Sequence, residues 1–121
     1  MYAERQSISL TTSAGGAATG YSERVTGRIL AVVYTKIDFD NGVDFTITLE
    51  ATGEAILTLT DQNSSAAIYP RVPVQDATGV DATLDGTRKM REPVVAAHDR
   101  VKVVVAQGGN VKSGTIAVIV G

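Results

Sequence analysis

The sequence predicts an all-β domain, a two-sheet β-sandwich with Greek-key or jelly-roll-like connections and about eight or nine short strands. Three observations carry that expectation. Apolar residues recur at every second position, not at the helical spacing of about 3.6, as in Ile8 and Leu10 among serines and Leu57 and Leu59 among threonines. No window of helical length carries an apolar stripe. Clusters of Gly, Asn, Asp and Ser punctuate the chain at short intervals, as turns between short strands require.

A chain of 121 residues encloses one modest core, so residues 1–121 read as a single domain. With no Trp and aromatics at only 5%, that core must be built from Val, Ile, Leu and Ala.

The first strand falls at residues 6–12, and the Ser-Ala-Gly-Gly-Ala-Ala-Thr run at 13–19 reads as a flexible connection. Segment 1–19 as a whole is expected to be flexible. The next stretch, 27–50, places two apolar runs on either side of Asp40-Asn41-Gly42, a hairpin signal. A two-residue loop would set Phe39 against Asp44, whereas a three-residue loop sets Phe39 against Val43, with Gly42 left-handed. In the second register Ile29, Ala31, Val33, Ile37 and Phe39 share a core face with Val43, Phe45, Ile47 and Leu49. A turn at Thr52-Gly53-Glu54 then brings back Leu57 and Leu59, completing a three-strand meander. The opposite row, Leu30, Val32 and Tyr34, is apolar too, so that face must be covered by another sheet, a loop or a subunit.

Further strands are expected within 67–74, where Pro70 and Pro73 require an edge, and at 93–96, 100–106 and 115–120. Gly108-Gly109-Asn110 and Ser113-Gly114 mark a final hairpin. Residues 75–92, rich in Asp, Gly and Thr, form the longest unpatterned stretch, the kind of loop that is usually functional or disordered.

Charge and composition narrow the function. A net charge of −2 argues against a protein that binds by neutralising phosphates, so nucleic acid is not an expected partner. The absence of Cys excludes disulfides, thiolate metal sites and cysteine nucleophiles. The start Met1-Tyr2-Ala3-Glu4-Arg5-Gln6 is not a signal peptide, and no apolar run approaches the roughly 18 residues of a membrane span. A soluble product made in the cytoplasm is expected.

Catalytic and metal-binding constellations are not evident. His98 stands beside Asp99, but neighbours on a strand face opposite ways, so a turn or surface histidine is the better reading. Asp38, Asp40, Asn41 and Asp44 offer oxygens to a hard cation, yet Gly42 and Leu49 stand where an EF-hand loop needs ligands, so a tight turn with solvated acids is favoured. Gly108-Gly109-Asn110 precedes a strand, not the helix of a phosphate-binding loop. No cofactor, metal or enzymatic activity is expected. The candidate contact residues are the cations Arg88, Lys89 and Arg91, offset by Asp76, Asp81, Asp85 and Glu92, together with Leu30, Val32 and Tyr34.

The run 100–110, Arg-Val-Lys-Val-Val-Val-Ala-Gln-Gly-Gly-Asn, and the ending 113–121, Ser-Gly-Thr-Ile-Ala-Val-Ile-Val-Gly, resemble the endings of small β-rich virion proteins encoded among tailed-bacteriophage head genes. Ile68-Tyr69-Pro70-Arg71 adds to the likeness, which covers about a third of the chain. The resemblance implies a capsid decoration, or cement, protein. Such a protein is a structural sandwich, commonly a homo-oligomer (a trimer or dimer), that binds the outer face of the assembled head and bridges subunits of the major capsid protein. It would be located on the virion capsid surface. Residues 1–19 and 75–92 would reach the capsid or a sister subunit. The alternatives are a head-tail or tail structural subunit and a carbohydrate- or receptor-binding sandwich, the latter short of rings, with Tyr2, Tyr21, Tyr34 and Tyr69 beside two core Phe. The long strand through 27–36 is expected at a subunit contact.

Overall fold

The computed structural model describes residues 3–121, so Met1 and Tyr2 lie outside the described residues. Nine strands and no helix occur among these residues: β1 (Glu4–Thr11), β2 (Ala18–Lys36), β3 (Asp44–Leu49), β4 (Ala55–Leu59), β5 (Ala66–Ile68), β6 (Val72–Pro73), β7 (Arg91–Glu92), β8 (Val94–Ala106) and β9 (Ser113–Val120). Seven of them form one antiparallel sheet in the order β1-β9-β2-β8-β3-β4, with β5 also on β2, while β6 and β7 make a separate ribbon. Neighbours in the sheet are mostly distant in sequence, so connections cross between layers in the Greek-key manner.

The strand that folds this sheet into a sandwich is β2. Its 19 residues would span about 63 Å at roughly 3.3 Å each, too long to lie flat in one layer of so small a domain. Its first half pairs with β8 and its second half with β9 and β5. Between the halves the ladder is broken at Tyr21/Arg24, at Val25/Gly27 and at Ile29/Ala31, and such bulges bend a strand and increase its twist. The bulges are internally satisfied. The Ser22 hydroxyl accepts from the Val101 amide at 2.9 Å, and the Thr26 hydroxyl from the His98 amide at 3.1 Å.

The two layers meet in one apolar core of Val, Ile and Leu around three rings. Tyr34 of β2 lies 4.7 Å from Phe45 of β3, centroid to centroid, with Phe39 at 6.0 Å from Phe45. Where β2 crosses β1, the contact is closer still. A Cβ on Gly20 would sit 2.6 Å from Leu10 Cδ2 and 2.7 Å from Ile8 Cγ2, so any side chain there must displace those two buried neighbours.

Several expectations are corrected. Segment 1–19 is not a flexible lead within the described residues: β1 is laddered to β9 at all eight of its positions, and residues 13–17 close a turn in which the Ser13 amide donates to Ala17 O at 2.9 Å. The runs flanking Asp40-Asn41-Gly42 do not pair as a hairpin. The second half of β2 pairs with β9 whereas β3 pairs with β8 and shares a layer with the first half of β2, so residues 37–43 cross between layers, held by Asp40 N donating to Gly108 O and Asp38 N to Ser113 O. Gly42 does take a positive φ of 91°, and Phe39, Val43, Phe45, Ile47 and Leu49 are buried together, because both runs still face the same core. The meander survives only as the β3–β4 pair, with Ile47 opposite Leu57 and Phe45 opposite Leu59. Likewise β8 and β9 are not a hairpin, and the two runs at 93–96 and 100–106 are one strand, β8.

Along the second half of β2 and at Ile37 the odd-numbered core face fails, although Phe39 and the odd positions of β3 keep it. Leu30 is the extra residue opposite the Val120–Ile119 step, and a one-residue insertion turns over the side chains of the rest of that strand. Val32 and Tyr34 are therefore buried, each 1% exposed, while Ile37 is 63% exposed.

Candidate functional site

The stretch between β5 and β8 leaves the sandwich as an arm. At its base Pro70 is buried, Val72 packs on the core, and Arg71 Nη1 donates to Leu30 O at 3.1 Å and Pro70 O at 2.8 Å. Beyond Val74, every residue to Glu92 is exposed except Asp81 and Ala82, which are half-buried.

This stretch carries its own order. Val74 N donates to Met90 O and Ala82 N to Val74 O, while Met90 N donates back to Ala82 O, so three short segments share hydrogen bonds around Val74, Ala82 and Met90. Two aspartate-capped turns close the outer ends. Asp76 Oδ1 accepts from Thr78 N (2.8 Å), Thr78 Oγ1 (2.7 Å) and Val80 N (3.2 Å). Asp85 Oδ1 repeats the device with Thr87 N, Thr87 Oγ1 and Arg88 N. Aspartate favours such turns because its short carboxylate reaches the amide two residues on. Those bonds to Thr78 and Val80 hold the Asp76 carboxyl below its ordinary range, and those from Arg88 and Thr87 hold Asp85 well below it.

The cations are drawn into the same network. Arg88 Nε meets Asp85 Oδ2 at 2.9 Å and Lys89 Nζ meets Asp81 Oδ2 at 2.8 Å. The hydrogen bond from Lys89, with a second from Gln75, lowers the Asp81 pKa, and Arg91 adds a longer-range attraction. Arg88 and Lys89 are thus neutralised on the arm by Asp85 and Asp81, and Arg91 stands on β7, so the three do not form an uncompensated basic patch.

Beside its charged groups the arm shows apolar side chains to solvent. Leu84 is 70% exposed and Val80 60% exposed, each beside a turn, and Met90, Tyr69 and Val95 are exposed as well. Sequence reasoning did not single out Val80, Leu84 and Met90, because they follow no period. The signal that marks Val80 and Leu84 is the Asp-Ala-Thr sequence, present at 76–78 and again at 81–83, with Asp85-Gly86-Thr87 behind it: turn chemistry separated by single apolar residues.

Leu30, Val32 and Tyr34 belong to a different region and do not form a partner surface. Val32 and Tyr34 are inside the subunit's own core, and Leu30 is half-buried against the Gly121 end. Strand 28–36 is flanked within its layer by β9 and in part by β5, and the burial of Val32 and Tyr34 shows that most of that row is covered within the chain.

The remaining polar groups are accounted for structurally. His98 is exposed at a bulge with φ 49°, whereas Asp99 turns inward to accept from Ala51 N (3.1 Å) and Arg100 N (2.8 Å), so the two do not face one another. Asp38 accepts from Ser113 N and Asp44 from Asp61 N, which commits oxygens of the acidic turn to loop amides. No group of three or more His, Cys, Asp or Glu residues among the described residues could hold a metal ion, and no helix there is long and apolar enough to cross a membrane. A cleft of about 400 Å³ opens between β1, β2 and the chain end, lined by Glu4, Arg24, Val25, Thr26, Gly27, Val120 and Gly121. Tyr21 is overlaid by Arg100 at 4.3 Å, itself paired through two nitrogens with Glu50, which leaves its ring face occupied.

No protein-family model matches this chain, and no curated protein does.

Proposed function

We propose that this chain is a non-catalytic structural subunit of a tailed-phage particle, a decoration protein that seats on the assembled capsid through its arm and stabilises the lattice of the major capsid protein. The class of partner comes from the resemblance of the C-terminal third, and the surface comes from the arm. One observation carries the reading: an ordered projection that presents Val80 and Leu84 to solvent while pairing its own charges.

That combination suits docking for two physical reasons. Turns already held by Asp76 and Asp85 lose little conformational freedom on binding, so less of the contact energy is spent on ordering. The arm region 69–93 balances four acids against four bases, so its field repels neither an acidic nor a basic lattice, and apolar burial dominates. On the virion, such a contact clamps neighbouring capsid subunits without any chemistry.

The test is co-sedimentation of purified protein with expanded, undecorated heads. Removing a central apolar anchor typically costs about 1–3 kcal/mol, so Leu84→Asp with Val80→Asp is expected to weaken head binding at least tenfold while leaving the sandwich folded. Wild-type protein that fails to sediment with heads, or a double variant that binds as well as wild type, would refute the proposal.

A further inference from the structure

We propose that β1 is a pairing edge, along which a second copy of this chain docks antiparallel about a two-fold axis and joins two sheets into one. This goes beyond the arm reading and concerns a different surface, so either can fail without the other.

The argument begins with which backbone groups β1 leaves unused. Thr12 N donates to Lys112 O, continuing the register in which Thr11 opposes Ser113, so the even residues bond to β9. The amides and carbonyls of Arg5, Ser7, Ser9 and Thr11 then point away from the sheet, and no backbone bond from elsewhere among the described residues reaches them. An unpaired row of this kind is a template for another strand, and proteins that do not use such an edge shorten, bulge or block it.

The other edges are blunted in those ways. β4 has five residues and carries an extra one, Ile56, between its pairings. β5 has three residues and runs at once into Tyr69-Pro70. The first half of β2 is broken by two bulges. β1 alone is eight residues long, unbroken in register, without Pro or Lys, and its outward side chains past Arg5 are the small Ser7, Ser9 and Thr11.

The occupant follows from self-complementarity. Both charges of the strand, Glu4 and Arg5, sit at one end, so two copies running antiparallel keep like charges apart. Pairing centred on Ser9 sets Ser7 against Thr11 and Ile8 against Leu10, matching polar with polar outside and apolar with apolar within. Centring on Ser7 would instead set Leu10 against Glu4, and centring on Arg5 would set that cation against itself. Only the Ser9 register continues the inner apolar row from one copy into the next.

The experiment is native mass by light scattering over a concentration series, on wild type, Ser9→Pro and Ser9→Lys. The Ser9 amide is not used in the β9 ladder, so proline there removes an edge donor and spares the fold; lysine puts two like charges across the axis. Wild-type mass is expected to rise from 12.6 kDa to twice that value. Both variants should stay monomeric at the concentration where wild type has doubled, with unchanged melting of the dilute protein. Because the chain has no Cys, Ser9→Cys should also oxidise to a covalent pair, whereas Thr58→Cys on β4 should not. A wild type monomeric throughout, or a Ser9→Lys protein that associates as wild type does, would overturn the inference.

Discussion

Replacing Tyr34 by Phe should make this protein more stable. The Tyr34 ring is fully packed, 4.7 Å from Phe45 and 6.3 Å from Phe39, but its hydroxyl is buried without a hydrogen-bond partner among the described residues. An unsatisfied buried hydroxyl costs about 1–3 kcal/mol of desolvation, and Tyr34→Phe removes that cost while keeping the ring. The small void left behind offsets part of the gain, so a net stabilisation of about 1 kcal/mol is expected, or roughly 3–6 °C in melting temperature for a domain of this size. Burial also raises the Tyr34 pKa above its ordinary 10.0. A raised folded-state pKa contributes stability that is complete below the unfolded value and is lost as pH rises through the folded one, so wild type should weaken above about pH 10 more than the variant does. Urea and thermal unfolding at neutral and alkaline pH measure both effects. A Tyr34→Phe protein less stable than wild type by 1 kcal/mol or more would show that the hydroxyl is bonded and that the core is not packed as described.

Gly20→Val should cost about 2–3 kcal/mol in urea unfolding, because a side chain there meets Leu10 and Ile8 inside normal contact distance. Asp99→Ala should cost about 2–3 kcal/mol by the same assay, since it strips the Ala51 and Arg100 amides of their acceptor in a buried place. The depressed carboxyl pKa values of Asp76, Asp81 and Asp85 predict that the arm is ordered above the ordinary carboxylate value of 3.8 and loosens as pH falls below it, through the folded values. Hydrogen exchange at the Thr78, Val80 and Arg88 amides, with protection relative to the intrinsic rate at each pH lost in acid or in Asp76→Ala and Asp85→Ala while the core stays protected, checks this.

The alternating strands were legible because their inward positions are large and apolar, as in β9 with Ile116, Val118 and Val120. The first half of β2 was not, since its inward residues are Ala18, Gly20 and Ser22: the layer is so close to β1 there that small residues must fill the row, and period two disappears from hydropathy. Parity after residue 29 was lost for another reason. A single inserted residue, Leu30, leaves no trace in composition, yet it decides that Tyr34 and not Ile37 enters the core. Turn chemistry at Asp40-Asn41-Gly42 showed a reversal but could not distinguish a hairpin from a crossing between layers, because that depends on β8 and β9, far along the chain. The basic residues of the arm were visible as a cluster, and their neutralisation by Asp81 and Asp85 follows from turns that bring these groups face to face.

The most direct test of the docking account is hydrogen exchange compared between the free protein and the protein bound to expanded heads. New protection concentrated at residues 76–90, with the outer face of β3 and β4 unchanged, is the predicted result. Binding that protects the β3–β4 face and leaves the arm exchanging as in the free protein would contradict it.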